Sequence, residues 1–556
     1  MTEPIRRLPD PIINADGKLV GKSALTPHAM KTRGAIAIPS SKVIPIVFVP
    51  GIMGSNLRAT TNANRPQNRE LEAGAPAWRP PNGATEGISE LLTWKNRSPA
   101  QRQRILDSET LEVDDSGLVA LPHDPQGIQA ERMRTHWWGE VYSDSYHPLL
   151  AALHQNLNHT FFNAIFGGKR EPAYVWQQIM KYDRTKWNAV DMPLLTEAEL
   201  EKFAQYQYPV YACGYNWTQS NEHSAERVKN RVLEIVKFWT DRKFDCEQVI
   251  LVTHSMGGLV GRACAKLIPD KVLGVVHGAM PALGAPLAYR RIACGTEDSA
   301  PNAGRIATGK MSAFAVIAGS TPDRTMPAMA TAAGALELLP NHLYPSPWLL
   351  VSVKKPDGSI VDVSHLQPKN IYDLYRDYEC WFRAIDPELA DPAKKYRQRQ
   401  DGVKTAIDAA VAQAEKFHTK VLDTYYHPNT YAYYGADEEK MSFGKFRWIT
   451  NEQRALEDNL GKTLVLGEGG HPVADGSRTI FMPKPFDRPV YQISFVPGQQ
   501  DTAGDGTVPH QSGDGPRGKA RRVFRTTGYD HQGSYADEHM RLLTHHLICK
   551  IAQEAK

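Results

Sequence analysis

Short apolar runs and helically spaced segments alternate along the chain, and that alternation predicts its architecture. Val43-Ile-Pro-Ile-Val-Phe-Val49, Pro209-Val-Tyr-Ala-Cys213, Val249-Ile-Leu-Val252, Val272-Leu-Gly-Val-Val-His277 and Val490-Tyr-Gln-Ile-Ser-Phe-Val496 read as strands, with Arg521-Arg-Val-Phe-Arg525 as a more basic one. Between them apolar residues return at helical spacing. Tyr146 to Leu153 forms one such segment; Val228, Val232, Ile235 and Trp239 form another, with Ser220 or Asn221 placed to cap it. Gly257, Gly261 and Ala265 share a face of a third, and Ala536, Met540, Leu543, Leu547 and Ile551 face the core from a terminal helix. Strand and helix in turn predict an α/β fold, a mostly parallel sheet with helices on both faces.

Two stretches break the rhythm. Residues 57–140 are polar and rich in Pro, Asn, Arg and Gly, with Trp78, Trp94, Trp137 and Trp138 among them. An irregular insertion of that length is either functional or mobile, and the two last tryptophans line an acyl site or pack. From Met280 the pattern changes again, and residues 300–335 are dominated by small residues with Met311, Phe314, Met326 and Met329. That composition suits a mobile apolar lid or a loosely packed linker. Helical spacing at Ile371, Leu374, Tyr375 and Tyr378, then at Val403, Ile407, Val411, Ala414 and Val421, with strand-like runs at Phe443 to Thr450 and Arg478 to Met482, gives the insertion real structure. The predicted organisation is an extension over 1–40, a core over 41–289, a cap or lid over 290–487, and a second core part over 488–556.

The chemistry centres on Val252-Thr-His-Ser-Met-Gly-Gly258, where a buried strand runs into a serine and out into a helix. Such a turn lifts the Ser255 hydroxyl above the sheet and aims the first helical amides at the same point, as in the nucleophile turn of an α/β-hydrolase. The usual G-x-S-x-G pattern departs at its first glycine, where Thr253 stands. A serine nucleophile needs an imidazole base, and the base needs a carboxylate. Asp505, between glycines, and His531, just before the terminal helix, follow in the order serine, acid, histidine. The loop Pro50-Gly-Ile-Met-Gly-Ser-Asn56 after the first strand supplies a second oxyanion amide, assigned to Ile52 beside that of Met256. Asp501 and Asp514 compete with Asp505 but read as solvated turn residues, and Asp530 abuts His531. His510, His539, His545 and His546 compete with His531, whereas His254 reads as structural.

Composition narrows the class. Net charge is +4, too small to argue for nucleic acid. The basic run Arg517, Lys519, Arg521, Arg522 and Arg525 either meets anionic headgroups or is a solvated edge. Cys213, Cys246, Cys264, Cys294, Cys380 and Cys549 are scattered and read as free thiols. No Cys, His and Asp cluster has metal-binding spacing, so no cofactor is expected, with a structural calcium left open. The N-terminus carries no apolar secretory signal and no run is long enough to span a bilayer. The expectation is a protein made in the cytoplasm that meets membrane from solution and, where exported, is carried by another machine.

Val49-Pro-Gly-Ile-Met-Gly-Ser-Asn-Leu57, Tyr215-Asn-Trp217, His254-Ser-Met-Gly-Gly258, Leu283-Gly-Ala-Pro-Leu-Ala288 and Gly504-Asp-Gly-Thr-Val-Pro509 resemble, in order, landmarks of the lecithin:cholesterol acyltransferase-like and GPI inositol-deacylase-like lipases. With Tyr529-Asp-His-Gln-Gly-Ser-Tyr535 and the overall layout, the chain resembles the type VI secretion lipase effectors. The resemblance implies hydrolysis of phospholipid or related esters at a membrane surface, a secretion spike component, delivery to a competitor's periplasm and a cognate immunity protein. Tyr-Asn-Trp stands where relatives often carry Tyr-Asp-Trp-Arg. Two rival readings remain: a cytosolic acyltransferase or storage-ester hydrolase of the same fold, and a catalytically dead scaffold that binds.

Overall fold

The computed structural model describes residues 40–79, 83–119, 121, 128–162, 171–297, 314–398, 400–457, 460–465, 467–482 and 491–556, with short strands within residues 5–35. Most of the expected N-terminal extension, and the part of the expected lid that contains Met311, lie outside these residues. Six strands, β1 (Ile46–Val49), β2 (Val210–Ala212), β3 (Val249–His254), β4 (Val272–Gly278), β5 (Thr430–Gly435) and β6 (Arg522–Thr526), form one sheet in the order β2-β1-β3-β4-β5-β6. Every neighbouring pair is parallel. The first four are buried throughout, as the apolar runs require of a sheet covered on both faces. Helices α1 (Ser143–Leu157) and α4 (Glu538–Ala552) cover one face, meeting Ile46, Phe48, Ile250 and Val252. Helices α2 (Asn221–Asp241) and α3 (Gly257–Leu267) cover the other, over Val47, Val49 and Leu251. This is the α/β-hydrolase arrangement. Among the described residues no helix is long and apolar enough to cross a membrane, and the six cysteines are free.

One strand stands in a different sheet from the one expected, and one strand of the main sheet was not expected at all. Val490 to Val496 was expected to resume the main sheet, yet Tyr491–Pro497 belongs to a second sheet in which strands 360–365, 349–354, 446–450, 491–497, 478–482 and 468–469 are neighbours in that order. Its side chains explain why: Gln492, Ser494 and Val496 are exposed while Ile493 and Phe495 are buried. That alternation suits an antiparallel sheet with one wet face, not a strand covered on both sides. The main sheet is instead continued by Thr-Tyr-Ala-Tyr-Tyr-Gly of β5, inside the 290–487 range assigned to the cap, so the boundary at 487 does not follow the sheet. Aromatic residues carry β5 where an aliphatic run would have announced it, and all six of its residues are buried.

Buried polar side chains tie the insertions to one another and, through Glu337, to the core. Arg102 donates to the carbonyls of Trp94, Val316 and Ile317, and Arg478 donates to those of Trp381 and Ala293. Glu337, fully buried, closes a short helix over Ala333–Leu336 and receives the Ser220 hydroxyl (2.8 Å) and the Asn221 amide (2.7 Å) at the start of α2. Burial pushes its carboxyl up to about 8, against those donors, and Glu222 adds to the rise. The folded protein therefore holds Glu337 protonated where the unfolded chain releases the proton, so this group's contribution to stability falls from about pH 4.5 to about pH 8. Glu337→Gln should flatten that decline by up to about 1.4 kcal/mol per pH unit, read from chemical denaturation of both proteins across the window; parallel profiles refute it.

Candidate active site

At the end of β3 the backbone turns sharply. Ser255 has φ of 52°, a left-handed conformation that a non-glycine residue holds only when its surroundings impose it. Those surroundings are backbone hydrogen bonds: the Ser255 amide donates to the Gly278 carbonyl (2.9 Å), and the Gly258 amide donates back to the Ser255 carbonyl (2.8 Å). A Cβ on Gly257 would lie 2.3 Å from the Pro50 carbonyl oxygen and 2.5 Å from that of Val49. The first turn of α3 is thus pressed against the loop after β1.

The Thr253 departure has a local counterpart. Its methyl lies where a side chain on Gly261 would be, 2.7 Å from the Cβ position, so the small residue needed at this contact is supplied from α3. Its hydroxyl is 2.8 Å from His277 Nδ1, and burial pushes that imidazole down to about 3 and keeps it neutral.

His531 Nε2 is 2.8 Å from Ser255 Oγ, and its Nδ1 is 2.8 Å from Asp505 Oδ2. A carboxylate only accepts, so Nδ1 carries the proton and donates to Asp505, leaving the Nε2 lone pair to receive the serine O–H. The other Asp505 oxygen accepts the amides of Thr507 (3.0 Å) and Val508 (2.7 Å), and the His531 amide donates to the Asp505 carbonyl (2.7 Å). Asp505 is 1% exposed and Ser255 5%. The structure thus brings together three residues separated by up to 276 positions.

The Pro50 to Gly54 loop lies over the serine. A Cβ on Gly51 would stand 2.9 Å from Ser255 Cβ. The loop is held by the Tyr215 hydroxyl donating to the Pro50 carbonyl (2.9 Å), by Trp78 Nε1 donating to that of Met53 (2.8 Å), and by the Gly51 amide donating to the Tyr146 hydroxyl (3.1 Å). Ile52 follows Gly51 in this loop, and Met256 opens the first turn of α3, where helical amides lack partners of their own.

The competing candidates are engaged elsewhere. Asp501 accepts the amides of Gly444 and Lys445 and pairs with Arg447 (2.6 Å); Asp514 pairs with Arg517 (2.7 Å); Asp530 caps the Gly533 amide (2.7 Å). His539 meets Tyr182, His545 Nδ1 is 2.7 Å from the Arg541 carbonyl, and His546 is buried beside Trp187. His510 lies near Asp514 and Arg525. Trp138 is buried with its Nε1 donating to Val210, and Trp137 packs under Arg231, so both pack and neither lies against Ser255. Of the basic run, Arg521 pairs with Glu554 (2.8 Å) and Arg522 with Asp191, as on a solvated edge. Among the described residues Asp386, Glu388 and His471 have converging ligand atoms, but Arg383 is already 2.7 Å from Asp386. Tyr146 and His277 sit at core-facing positions that read as packing, and nothing in the spacing marks them; Tyr535, the last residue of the Tyr529–Tyr535 motif, donates its hydroxyl to the Thr253 carbonyl (2.9 Å).

The family model described as PGAP1-like alpha/beta domain matches residues 216–296, a segment that carries Ser255 but not Asp505 or His531. Among solved structures, the crystal structure of the Tle4-Tli4 complex contains a chain 27% identical, covering 92% of this chain and 99% of that one with a TM-score of 0.73. Phospholipase PlaB from Legionella pneumophila aligns at 11% identity over 63% of this chain and 90% of that one, with a TM-score of 0.15, too low to bear on the fold. A search of curated proteins found no match.

Gly257→Ala should prevent the turn from closing, because the added methyl meets two carbonyls that belong to the sheet and its loop. The expected outcome is insoluble protein or a loss of about 3 kcal/mol of stability, measured by denaturant unfolding; wild-type stability contradicts the packing argument.

Proposed function

We propose that the protein is a lipolytic serine esterase that hydrolyses acyl esters of membrane glycerophospholipids, acting as an antibacterial type VI secretion effector. The hydrogen-bonded chain from Ser255 through His531 to Asp505, at 2.8 Å in each link, carries this reading. Ser255 Oγ attacks the acyl carbonyl while its proton passes to His531 Nε2, and Asp505 stabilises the imidazolium that forms. The Ile52 and Met256 amides hold the oxyanion, and one such donor is typically worth about 3 kcal/mol of barrier. Collapse breaks the ester bond, the imidazolium protonates the departing lysophospholipid alcohol, and water then repeats the sequence on the acyl-serine to release fatty acid.

Support for the substrate class comes from the α/β-hydrolase fold, the PGAP1-like match around Ser255 and the lipase landmarks in order. The likeness to a chain solved as the Tle4-Tli4 complex, across nearly the whole length of both, supports a dedicated protein partner for this chain, in the role of a cognate immunity protein. Carriage by a secretion spike and delivery to a target periplasm rest on the resemblance to the effector lipases. The ordered arrangement of the three side chains speaks against a dead scaffold.

Mixed bacterial phospholipid vesicles incubated with the purified protein should yield fatty acid and lysophospholipid by mass spectrometry. Ser255→Ala should yield none, and Asp505→Asn should lower kcat by roughly 10^4-fold, because the amide no longer fixes the histidine tautomer. Equal product from wild type and Ser255→Ala sinks the assignment; transfer to an added alcohol in preference to water reassigns the protein as an acyltransferase.

A further inference from the structure

His254, immediately before the nucleophile, is fully enclosed and faces two partners. Its Nε2 is 2.9 Å from the His531 carbonyl oxygen and its Nδ1 is 3.0 Å from the Tyr146 hydroxyl. A carbonyl only accepts, so Nε2 carries the proton and Nδ1 presents a lone pair. The Tyr146 O–H therefore donates to Nδ1, and its oxygen is left to accept the Gly51 amide at 3.1 Å. One directional chain results: Gly51 N–H to Tyr146, Tyr146 O–H to His254, His254 N–H to the His531 carbonyl. It joins the oxyanion loop, the nucleophile turn and the loop of the acid-base histidine.

The geometry around the chain is built for it. Tyr146 reaches in from α1, 1% exposed, with its ring against Phe48 (centroids 4.9 Å) and edge-on to His254 (5.5 Å). A Cβ on Gly51 would lie 3.1 Å from His254 Nδ1, and one on Gly54 would lie 2.7 Å from the Tyr146 hydroxyl, so Gly51 makes room for the imidazole and Gly54 for the phenol. Gln532, next to His531, also hydrogen bonds this hydroxyl. His531 is gripped on both sides of its main chain, its amide by the Asp505 carbonyl and its carbonyl by His254.

We infer that Tyr146 and His254 are positioning residues, a relay that sets the oxyanion loop and His531 against Ser255 together. The inference rests on the proposed catalytic roles of Ser255 and His531. Burial, helped by the neighbouring His531, lowers the His254 imidazole to about 3, so the relay keeps one proton arrangement across the working pH range.

The test uses Tyr146→Phe, which deletes one oxygen from a buried ring, His254→Phe, which keeps a ring but removes both nitrogens from the chain, and the double variant. Each is first shown to be folded by thermal melting. An alkyl fluorophosphonate then phosphonylates Ser255, forming the Oγ–P bond and releasing fluoride, and its second-order rate is read with kcat and KM on vesicles. The expected result is a fall of about 10- to 100-fold in kcat and in labelling for each single variant, with KM little changed. The double variant should be no slower than the slower single, since both cut one chain. Wild-type labelling with Tyr146→Phe labelling at an equal rate overturns the relay while the catalytic reading stands, and so do losses that multiply in the double variant. Failure of the wild type to label at Ser255 overturns the catalytic reading and the relay with it.

Discussion

The structure depends on two loops that must share one space. β1 and β3 are adjacent and parallel, with Val49 opposite Thr253, so the chain leaves both strands at the same height. Parallel neighbours lie only about 4.8 Å apart, and each must turn at once: β1 into the Pro50 to Gly54 loop and β3 into Ser255 and α3. Backbone therefore meets backbone, and glycine at 51 and 257 is what the contact permits. The left-handed serine is the price of turning inside that space, and the same crowding sets Gly51 of the β1 loop against the serine Cβ.

Crowding also explains how the turn tolerates threonine where the pattern asks for glycine. The constraint belongs to the contact between strand end and helix, not to a single position. Gly261 meets it from the helix side, one turn beyond Gly257, and leaves room for the Thr253 methyl. The hydroxyl is then buried and needs a partner, which His277 on β4 provides. A departure that looked isolated in the sequence is one member of a set of three residues on α3, β3 and β4.

How much of this was legible follows from the range of the interactions. The serine turn, the loop after β1, and an acid and a histidine after later strands are local patterns, and they picked out Ser255, Asp505 and His531, whose side chains the structure brings within hydrogen-bond distance. β5 was missed because Tyr431, Tyr433 and Tyr434 carry no aliphatic strand signature, and Tyr491–Pro497 went to the wrong sheet although its alternation was readable in Gln492 and Ser494. Tyr146 was read as one more apolar position of a helix. Its partners Gly51 and His254 lie 95 and 108 residues away, and no periodicity encodes such a meeting.

The electrostatics of the site turn on which imidazole takes the charge. His254 and His531 have ring centroids 5.0 Å apart. Two positive rings at that distance would repel by about 3 kcal/mol at an effective dielectric constant of about 20. That is as much as one oxyanion donor typically contributes, and it would fall on the step in which His531 becomes an imidazolium. Burial of His254 removes the penalty by keeping it neutral, and its two neutral hydrogen bonds satisfy the ring without a charge. His531, with a side chain 11% exposed and a buried carboxylate at its far nitrogen, is the ring that takes the proton in the proposed mechanism. Adjacent histidines with opposite environments thus divide the work: one holds position because it does not titrate, and the other can carry charge because its neighbour does not.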